Sequence, residues 1–320
     1  MKKFLNIIVP FLIMIIVIVV CVIIYMVFTG ELPKFNSRSS LNNDEIVSSD
    51  GVILAKNELP KLDAVGISQS LMTAVIKDFT QDNNISEKEL NYSSSEEGFN
   101  KLLNGDIDVL FSTYPTEEMI SLAETQGINL SITPIAKDGL VFFVNSANPV
   151  DSLKVSDIQK IYTGDVKKWS EVGGDDLNIK AFQYPDNSST QEEMTSNVMK
   201  KLKIIDAPKD VFYNKKFGDI NDLIGLYDNT KEALGYTYYY EAKLLYDIAN
   251  EKEDAVKILK VNNVEPNYDT IKIEEYPIIV NYYMIKNENN DAENVNIFTN
   301  AVLSDRGKSA IKGAGYVENE

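Results

Sequence analysis

The stretch that decides the fold reads Phe182-Gln183-Tyr184-Pro185-Asp186-Asn187-Ser188-Ser189-Thr190-Gln191-Glu192-Glu193-Met194. It joins a predicted strand at 179–182 to a polar loop and then to a helix start. Ser189 or Thr190 can serve as the N-cap of that helix, because a Glu follows three residues after each and completes a capping box.

Three adjacent hydroxyl groups stand where this helix begins, on Ser188, Ser189 and Thr190. A helix start also presents unpaired backbone N–H groups and the positive end of the helix dipole, about half an elementary charge. This combination predicts a site for a small anion. The local pattern alone leaves a second interpretation open, in which the hydroxyls only cap a surface helix.

Two other loops, at 64–68 and 112–116, have the same order of strand end, hydroxyl groups and helix N-terminus. The first is predicted as a loop that ends on Ser68 as a helix cap, and the second follows a short buried strand at 107–111. In open α/β sheets, ligands bind outside the carboxyl ends of strands, where such loops gather. The three loops therefore predict one shared cleft.

The rest of the chain alternates between strand and helix patterns, which predicts an α/β fold. The predicted elements are strands at 139–145, 234–238 and 276–285, and helices at 191–202, 219–227 and within 291–312.

Composition excludes several classes of function. The 320 residues suffice for two domains, and the net charge of −17, from 31 Lys+Arg against 48 Asp+Glu, argues against a nucleic-acid partner. There is no His, and Cys21 is the only cysteine. Zinc sites, Cys/His nucleophiles and disulfides are thereby excluded, and neither an enzyme activity, a metal nor a cofactor is predicted.

The N-terminus carries 18 consecutive apolar residues, from Phe11 to Phe28. A helix over this segment is long enough to cross a bilayer core of about 30 Å. Lys2 and Lys3 precede it, so the positive-inside rule predicts a single-pass protein of the cell membrane with its C-terminal domain outside the cell. We expect an uncleaved anchor at 1–30 and an extracellular linker at 31–59, with a cleaved signal peptide as the alternative.

Several motifs occur together in a fixed order along the chain. They are Pro134-Ile135-Ala136-Lys137-Asp138-Gly139-Leu140-Val141-Phe142-Phe143-Val144-Asn145, Asn148-Pro149-Val150-Asp151-Ser152-Leu153, Ile161-Tyr162-Thr163-Gly164, Trp169, Val172-Gly173-Gly174, Leu303-Ser304-Asp305-Arg306-Gly307 and Ala314-Gly315-Tyr316-Val317. In this combination the chain resembles the phosphate-binding, periplasmic-type substrate-binding proteins of phosphate ABC transporters, in the form found in Gram-positive bacteria.

The resemblance implies a type II periplasmic-binding-protein-like fold with two α/β lobes that close around phosphate or a related small oxyanion. Lobe one is expected at 60–135 plus 277–320 and lobe two at 136–276. The expected partners are the permease subunits of an ABC importer. The ligand-binding residues expected from the family's loops are Val65, Gly66, Ser68, Ser112, Thr113, Tyr184, Asn187, Ser188, Ser189 and Thr190.

This sequence departs from the family's pattern at two loops. The family's Asp-Gly-Ser-Thr is replaced by Asp63-Ala64-Val65-Gly66, and Tyr184 stands where an Arg is expected. An Arg contributes a fixed charge and a bidentate fork, whereas a Tyr contributes one hydroxyl. The departures motivate an alternative hypothesis, a degenerate paralogue that acts as a surface sensor or interaction module without high-affinity phosphate binding.

Overall fold

The computed structural model describes residues 54–86, 90–184, 188–200, 202–206, 231–243 and 256–319. The predicted anchor at 1–30, most of the linker at 31–59 and the predicted helix at 219–227 lie outside these residues. Within the described residues, no helix combines the length and the apolar character that a membrane span needs.

The described strands have both parallel and antiparallel neighbours, as expected for an α/β protein. They are β1 Leu62–Val65, β2 Tyr92–Ser93, β3 Val109–Ser112, β4 Leu130–Asn145, β5 Ser152–Leu153, β6 Lys180–Ala181, β7 Ala233–Tyr238, β8 Val256–Ile258, β9 Lys260–Val261, β10 Ile279–Asn287 and β11 Val317–Glu318.

Helices occur between most of these strands, which confirms the predicted α/β class. They are α1 Gln69–Thr80, α2 Ser95–Asn104, α3 Glu117–Thr125, α4 Val155–Thr163, α5 Ser189–Glu193, α6 Tyr268–Lys272, α7 Glu293–Leu303 and α8 Asp305–Gly313. Short 3-10 turns cover Lys56–Glu58, Gly66–Ser68 and Trp169–Val172.

The main sheet runs in the order β2-β1-β3-β10-β4-β7-β6, with β8 and β11 paired to β4 beside this path. The pairs β1–β2, β1–β3 and β6–β7 are parallel, whereas β10 and β4 are antiparallel to their neighbours. The long strand β4 pairs with β10 along 130–139 and with β7 along 140–144. It therefore runs through both parts of the sheet.

Strand β4 begins nine residues before the predicted start at Gly139. The prediction was too short because Pro134, which cannot donate a backbone hydrogen bond, argues against a strand interior. In the structure, Tyr283 lies opposite Pro134 and Tyr282 opposite Ala136, so Ile135 is an extra residue in a bulge. A bulge is a position at which a strand tolerates a proline.

Aromatic side chains fix the strands that lead to the predicted site. The ring of Phe298 on α7 meets Phe79 on α1 at 6.0 Å and Phe111 on β3 at 6.2 Å, both in edge-to-face geometry. All three are almost completely buried. Full burial of one such side chain stabilises a fold by about 1.5–3 kcal/mol, and this cluster holds helix α1 against the strand that ends at Ser112.

Candidate functional site

The turn Gly66–Ser68 is the point at which the predicted loops meet. It follows β1 directly and contacts both β3, which ends at Ser112, and helix α5, which begins at Ser189. A methyl group placed on Gly66 would lie 3.9 Å from the hydroxyl oxygen of Ser189. The structure thus brings this turn next to the end of β3 and the start of α5, whereas a cleft shared by the loops at 64–68, 112–116 and 187–190 stays a prediction.

We call the turn Gly66–Ser68, the end of β3 at Ser112 and the start of α5 at Ser189 the junction. The predicted ligand residues there differ in exposure. Val65 and Ser68 are completely buried, Ser112 and Thr190 are buried, and Gly66 is exposed. Thr113, Tyr184, Ser188 and Ser189 are half-buried, and Asn187 lies outside the described residues. No observation tests whether these ten residues bind a ligand, so their role stays a prediction.

The residues 63–65 form strand β1, not the loop expected from the sequence. Asp63 pairs with Leu110 and Ala64 with Phe111 across a parallel ladder. The hydrogen-bonding partners that make these residues a strand lie far along the chain, and the loop itself is only the turn Gly66–Ser68.

The N-cap of helix α5 is Ser188, so the prediction of Ser189 or Thr190 was wrong. The hydroxyl of Ser188 accepts a hydrogen bond from the backbone N–H of Gln191 at 3.1 Å. Thr190 is buried one residue inside the helix, and Ser189 faces Gly66. The helix starts at Ser189, two residues before the predicted start at 191, and leaves those two hydroxyls at the junction.

Helix α5 continues as one stretch of π-helix, Met194–Met199, which ends before the predicted Leu202. Within it the amide of Asn197 donates to Glu193 at 2.9 Å and to the carbonyl of Ile279 at 2.8 Å. Ile279 is the first residue of β10, so this side chain ties the helix to the central part of the sheet.

Tyr184 holds the position at which the family pattern expects an Arg. Its backbone N–H donates to the side-chain oxygen of Gln191 at 2.9 Å, and its hydroxyl donates to Thr237 at 3.3 Å. The Thr237 hydroxyl in turn donates to Glu241. Burial, and secondly the charge of Glu241, raise the pKa of Tyr184, so this residue is a neutral hydrogen-bonding group and carries no charge.

A buried ion pair lies beneath the turn. The carboxylate of Asp63, which is completely buried, accepts from Ser93 at 2.8 Å and from Lys101 at 3.3 Å. Its other oxygen accepts from the N–H of Ala64 at 2.8 Å. The Lys101 ammonium also pairs with Glu97 at 3.0 Å, and the hydrogen bond to Glu97 is the main reason that the pKa of Lys101 is raised. The network joins β1, β2 and α2.

A second polar cluster lies where β4, β7 and β10 adjoin. Asp138 is buried and accepts hydrogen bonds from the backbone N–H groups of Gly139 at 2.7 Å and Tyr240 at 3.3 Å. The hydroxyl of Tyr282 donates to it at 3.5 Å. Burial raises the pKa of Asp138 to about 8, with a smaller contribution from the charge of Glu241. Asp138 thus holds its proton at neutral pH.

A cavity of about 790 Å³ opens beside the junction, between the first turns of α2 and α3 and the helix that starts at Ser189. It is lined by Ser94, Ser95, Glu96, Phe99, Asn100, Thr116, Glu118, Met119, Leu122, Glu192, Thr195 and Ser196. Its lining contains three carboxylates and neither Lys nor Arg. None of the ten predicted ligand residues is among these lining residues.

The sequence contained the signals for two edges of this cavity. Ser94 is the N-cap of α2 and accepts a hydrogen bond from the backbone N–H of Glu97, and Thr116 is the N-cap of α3 and accepts one from the backbone N–H of Met119. The local pattern around α2 indicates a helix that starts near Ser94 and ends at Gly105. The contact across the cavity had no such signal, because Ser95 donates to Glu192 at 3.4 Å over a separation of 97 residues.

The family model described as "PBP superfamily domain" matches residues 66–306, about three quarters of the chain. This match includes the turn Gly66–Ser68 and the strands β3, β4, β7 and β10. The protein is therefore a member of the PBP superfamily.

Curated relatives define the family more narrowly. The phosphate-binding protein PstS of Staphylococcus haemolyticus is 30% identical over 228 residues, which cover 69% of this chain and 68% of the relative. The phosphate-binding protein PstS of Staphylococcus saprophyticus is 27% identical over 250 residues, covering 75% and 73%. Within the superfamily, the chain belongs to the PstS family, which confirms the resemblance found in the sequence.

Solved structures share the fold. An ABC-type phosphate transport receptor from Vibrio cholerae superimposes with a TM-score of 0.63 at 21% identity, covering 80% of this chain and 98% of that one. A putative phosphate ABC transporter substrate-binding protein with bound phosphate, from Clostridium perfringens, gives a TM-score of 0.60 at 21% identity, covering 81% and 99%. At this identity the likeness shows the fold alone.

Proposed function

We propose that this protein captures phosphate, or a closely related oxyanion, and delivers it to an ABC importer. The observation that carries the proposal is the membership in the PstS family, whose curated relatives are phosphate-binding proteins. The convergence of the turn Gly66–Ser68 with the start of α5 supports it, because this is where the sequence predicts the anion.

The binding site that we propose consists of uncharged hydrogen-bonding groups. The backbone N–H groups of Val65 and Gly66 and the hydroxyls of Ser68, Ser112 and Thr113 form one side. Tyr184, Asn187, Ser188, Ser189 and Thr190 form the other. Hydrogen bonds that involve a charged group contribute about 1.5–3 kcal/mol, so several neutral donors together can hold an anion without an Arg.

We also propose that the type II, two-lobed arrangement applies, with lobe one at 60–135 plus 277–320 and lobe two at 136–276. Strand β4 supports this division, because its pairing changes from β10 to β7 after Gly139. Closure of the lobes around the ligand would then bend β4 where it crosses the boundary at 135–136 and the chain at 276–277, just before β10, as in hinge-type domain closure.

The proposal includes membrane anchoring by residues 1–30, with the binding domain outside the cell, where it meets the importer's permease subunits. The support is the apolar run from Phe11 to Phe28 behind two lysines. Protease added to intact cells tests this arrangement. Digestion of the domain while the first residues stay protected is the expected result, and protection of the whole chain would contradict it.

Titration of the purified full-length chain with phosphate, arsenate and sulfate tests the binding function. A ligand at about 100 times its Kd stabilises the folded state by about 2.7 kcal/mol, and the melting temperature rises accordingly. We expect stabilisation by phosphate and arsenate. Absence of any shift at millimolar concentrations would instead favour the sensor or interaction module, for which the comparisons give no support.

Variants locate the site. Ser189→Ala removes a hydroxyl at the junction and should weaken phosphate binding about tenfold, since one hydrogen bond to a charged ligand is lost. Ser196→Ala is the matched control, because its hydroxyl donates to the carbonyl of Glu192 at 2.8 Å and lies in the acidic cavity. Equal affinities of both variants and the wild type would refute the assigned site.

A further inference from the structure

Two buried hydroxyl groups have no hydrogen-bond partner in the described part of the chain, those of Ser68 and Tyr238. Ser68 is completely buried and Tyr238 is 2% exposed. A buried hydroxyl that leaves its hydrogen bonds unmade destabilises the fold, and such groups are few in native proteins. Both therefore require an explanation.

Both residues belong to elements that adjoin the same short segment, the start of helix α5. Ser68 belongs to the turn that contacts this helix. Thr190 lies beside the hydroxyl of Tyr238 at a geometry that does not form a hydrogen bond, and Glu193, one helical turn further, is close enough to raise its pKa. Ser68 was expected at the site from the sequence, and Tyr238 is the last residue of the strand predicted at 234–238.

The neighbouring Tyr236 is a tyrosine whose hydroxyl does have a hydrogen-bond partner on the same helix. Tyr236 and Tyr238 are two residues apart on β7, so their side chains lie on the same face of the sheet. The hydroxyl of Tyr236 donates to the side-chain oxygen of Gln191. The helix thus supplies a partner for one tyrosine and none for the other.

The chemistry of the Tyr238 hydroxyl suits an anion. Burial, and secondly the charge of Glu193, raise the pKa of Tyr238 well above its ordinary value. The group is therefore protonated throughout the physiological range and is available as a donor. The hydroxyl of Ser68 is likewise neutral and can donate a hydrogen bond.

We infer that Tyr238 is a further ligand-binding residue, whose hydroxyl donates a hydrogen bond to the oxyanion held at the start of α5. Ser68 donates to the same ligand from the turn. This inference rests on the proposed function and extends it, because it adds a donor from strand β7 to the residues already proposed for the site. The alternative partner of these hydroxyls is a buried water molecule, which also satisfies such groups.

The test compares Tyr238→Phe with Tyr276→Phe, using inorganic phosphate and the full-length chain. Both tyrosines are almost fully buried, but the hydroxyl of Tyr276 already donates to the carbonyl of Leu140 at 3.0 Å. We expect Tyr238→Phe to weaken phosphate affinity at least about tenfold and to leave the melting temperature without phosphate unchanged or higher. Tyr276→Phe should lower that melting temperature and leave the affinity unchanged.

The outcomes separate the inference from the proposed function. If the wild type binds phosphate and Tyr238→Phe binds it equally well, the inference is wrong and the function stands. If Tyr238→Phe instead lowers the ligand-free melting temperature without changing affinity, the hydroxyl holds a structural water. If the wild type binds neither phosphate nor arsenate, both the function and the inference fail. Ser68→Ala, measured in the same way, decides the role of Ser68 independently.

Discussion

Two buried aspartates, Asp63 on β1 and Asp138 on β4, are held in opposite ways. Asp63 has the ammonium group of Lys101 at 3.3 Å, so its negative charge is balanced inside the protein. Asp138 receives hydrogen bonds from two backbone N–H groups and from the hydroxyl of Tyr282, all of them neutral. Burial without a cation raises its pKa to about 8.

The comparison shows two ways in which a very acidic protein limits the charge of its buried carboxyl groups. Around Asp63 a lysine neutralises the carboxylate, and around Asp138 the carboxyl group retains its proton. In neither region does the buried aspartate add an unbalanced charge at neutral pH. These two residues therefore add little to the electrostatic repulsion inside a chain whose net charge is −17.

The largest expected effect comes from Asp138→Asn. In the wild type, the folded state keeps a proton up to about pH 8, whereas the unfolded state loses it near 3.8. Between these values the folded state binds more protons, so stability falls as pH rises, by up to about 1.4 kcal/mol per pH unit. The amide has no proton to lose, so the variant should lose this part of the pH dependence.

Urea unfolding at several pH values between 4 and 9 measures this difference. The stability of Asp138→Asn relative to the wild type should increase with pH and level off above about pH 8. A constant difference across the whole range would mean that Asp138 is ionised in the fold, like a carboxylate with a cation.

The next effect in size is that of Lys101→Met. Removal of one partner of a fully buried ion pair costs about 3–5 kcal/mol, and because the Lys101 side chain is 34% exposed we expect about 2 kcal/mol. Lys168→Met is the control, since the pair of Lys168 with Asp176 is exposed on both sides and should contribute much less to stability. Urea unfolding measures the loss of stability in both variants. Equal losses would mean that the ion pair of Asp63 contributes no more to stability than an ion pair on the surface.

A smaller loss is expected for Ser93→Ala, which removes the hydroxyl that donates to Asp63 at 2.8 Å and accepts from Lys101 at 2.8 Å. A hydrogen bond to a charged group contributes about 1.5–3 kcal/mol, and since Lys101 remains near Asp63 we expect the lower end of this range. Thermal unfolding at pH 7 measures it. An unchanged melting temperature would show that Lys101 alone satisfies the carboxylate.

The smallest effect is expected for Tyr282→Phe. Its hydroxyl reaches Asp138 at 3.5 Å, which is at the limit of a hydrogen bond. The loss should be below about 1 kcal/mol at neutral pH. Because the hydroxyl favours the ionised carboxyl, its removal should raise the pKa of Asp138 further and extend the pH dependence to higher pH. A shift of the pH profile to lower pH would contradict the direction assigned to this contact.

The parts of the fold that were predictable from sequence are those with local causes. Helix α2 begins after the N-cap Ser94 and ends at Gly105, which adopts a left-handed conformation. Both signals lie within the helix or next to it. The resemblance to the PstS family was likewise visible, because its motifs occur in order along the chain.

The parts that were missed depend on contacts between distant residues. The local pattern favoured Ser189 or Thr190 as the cap, but Ser189 lies against Gly66 and Thr190 beside Tyr238, which leaves Ser188 as the cap. Similarly, Asp138 and Tyr282 are 144 residues apart. No spacing rule joins two such residues, so the polar cluster around Asp138 was not predictable.

The position of β10 in the sheet sets the order in which the chain can fold during synthesis. β10 lies between β3 and β4, so these two strands, which are adjacent in sequence, have no direct pairing with each other. A ribosome must therefore complete almost the entire chain before the strand that joins the two parts of the sheet emerges. Until then the edges of β3 and β4 that pair with β10 have no such partner, and unpaired strand edges favour aggregation.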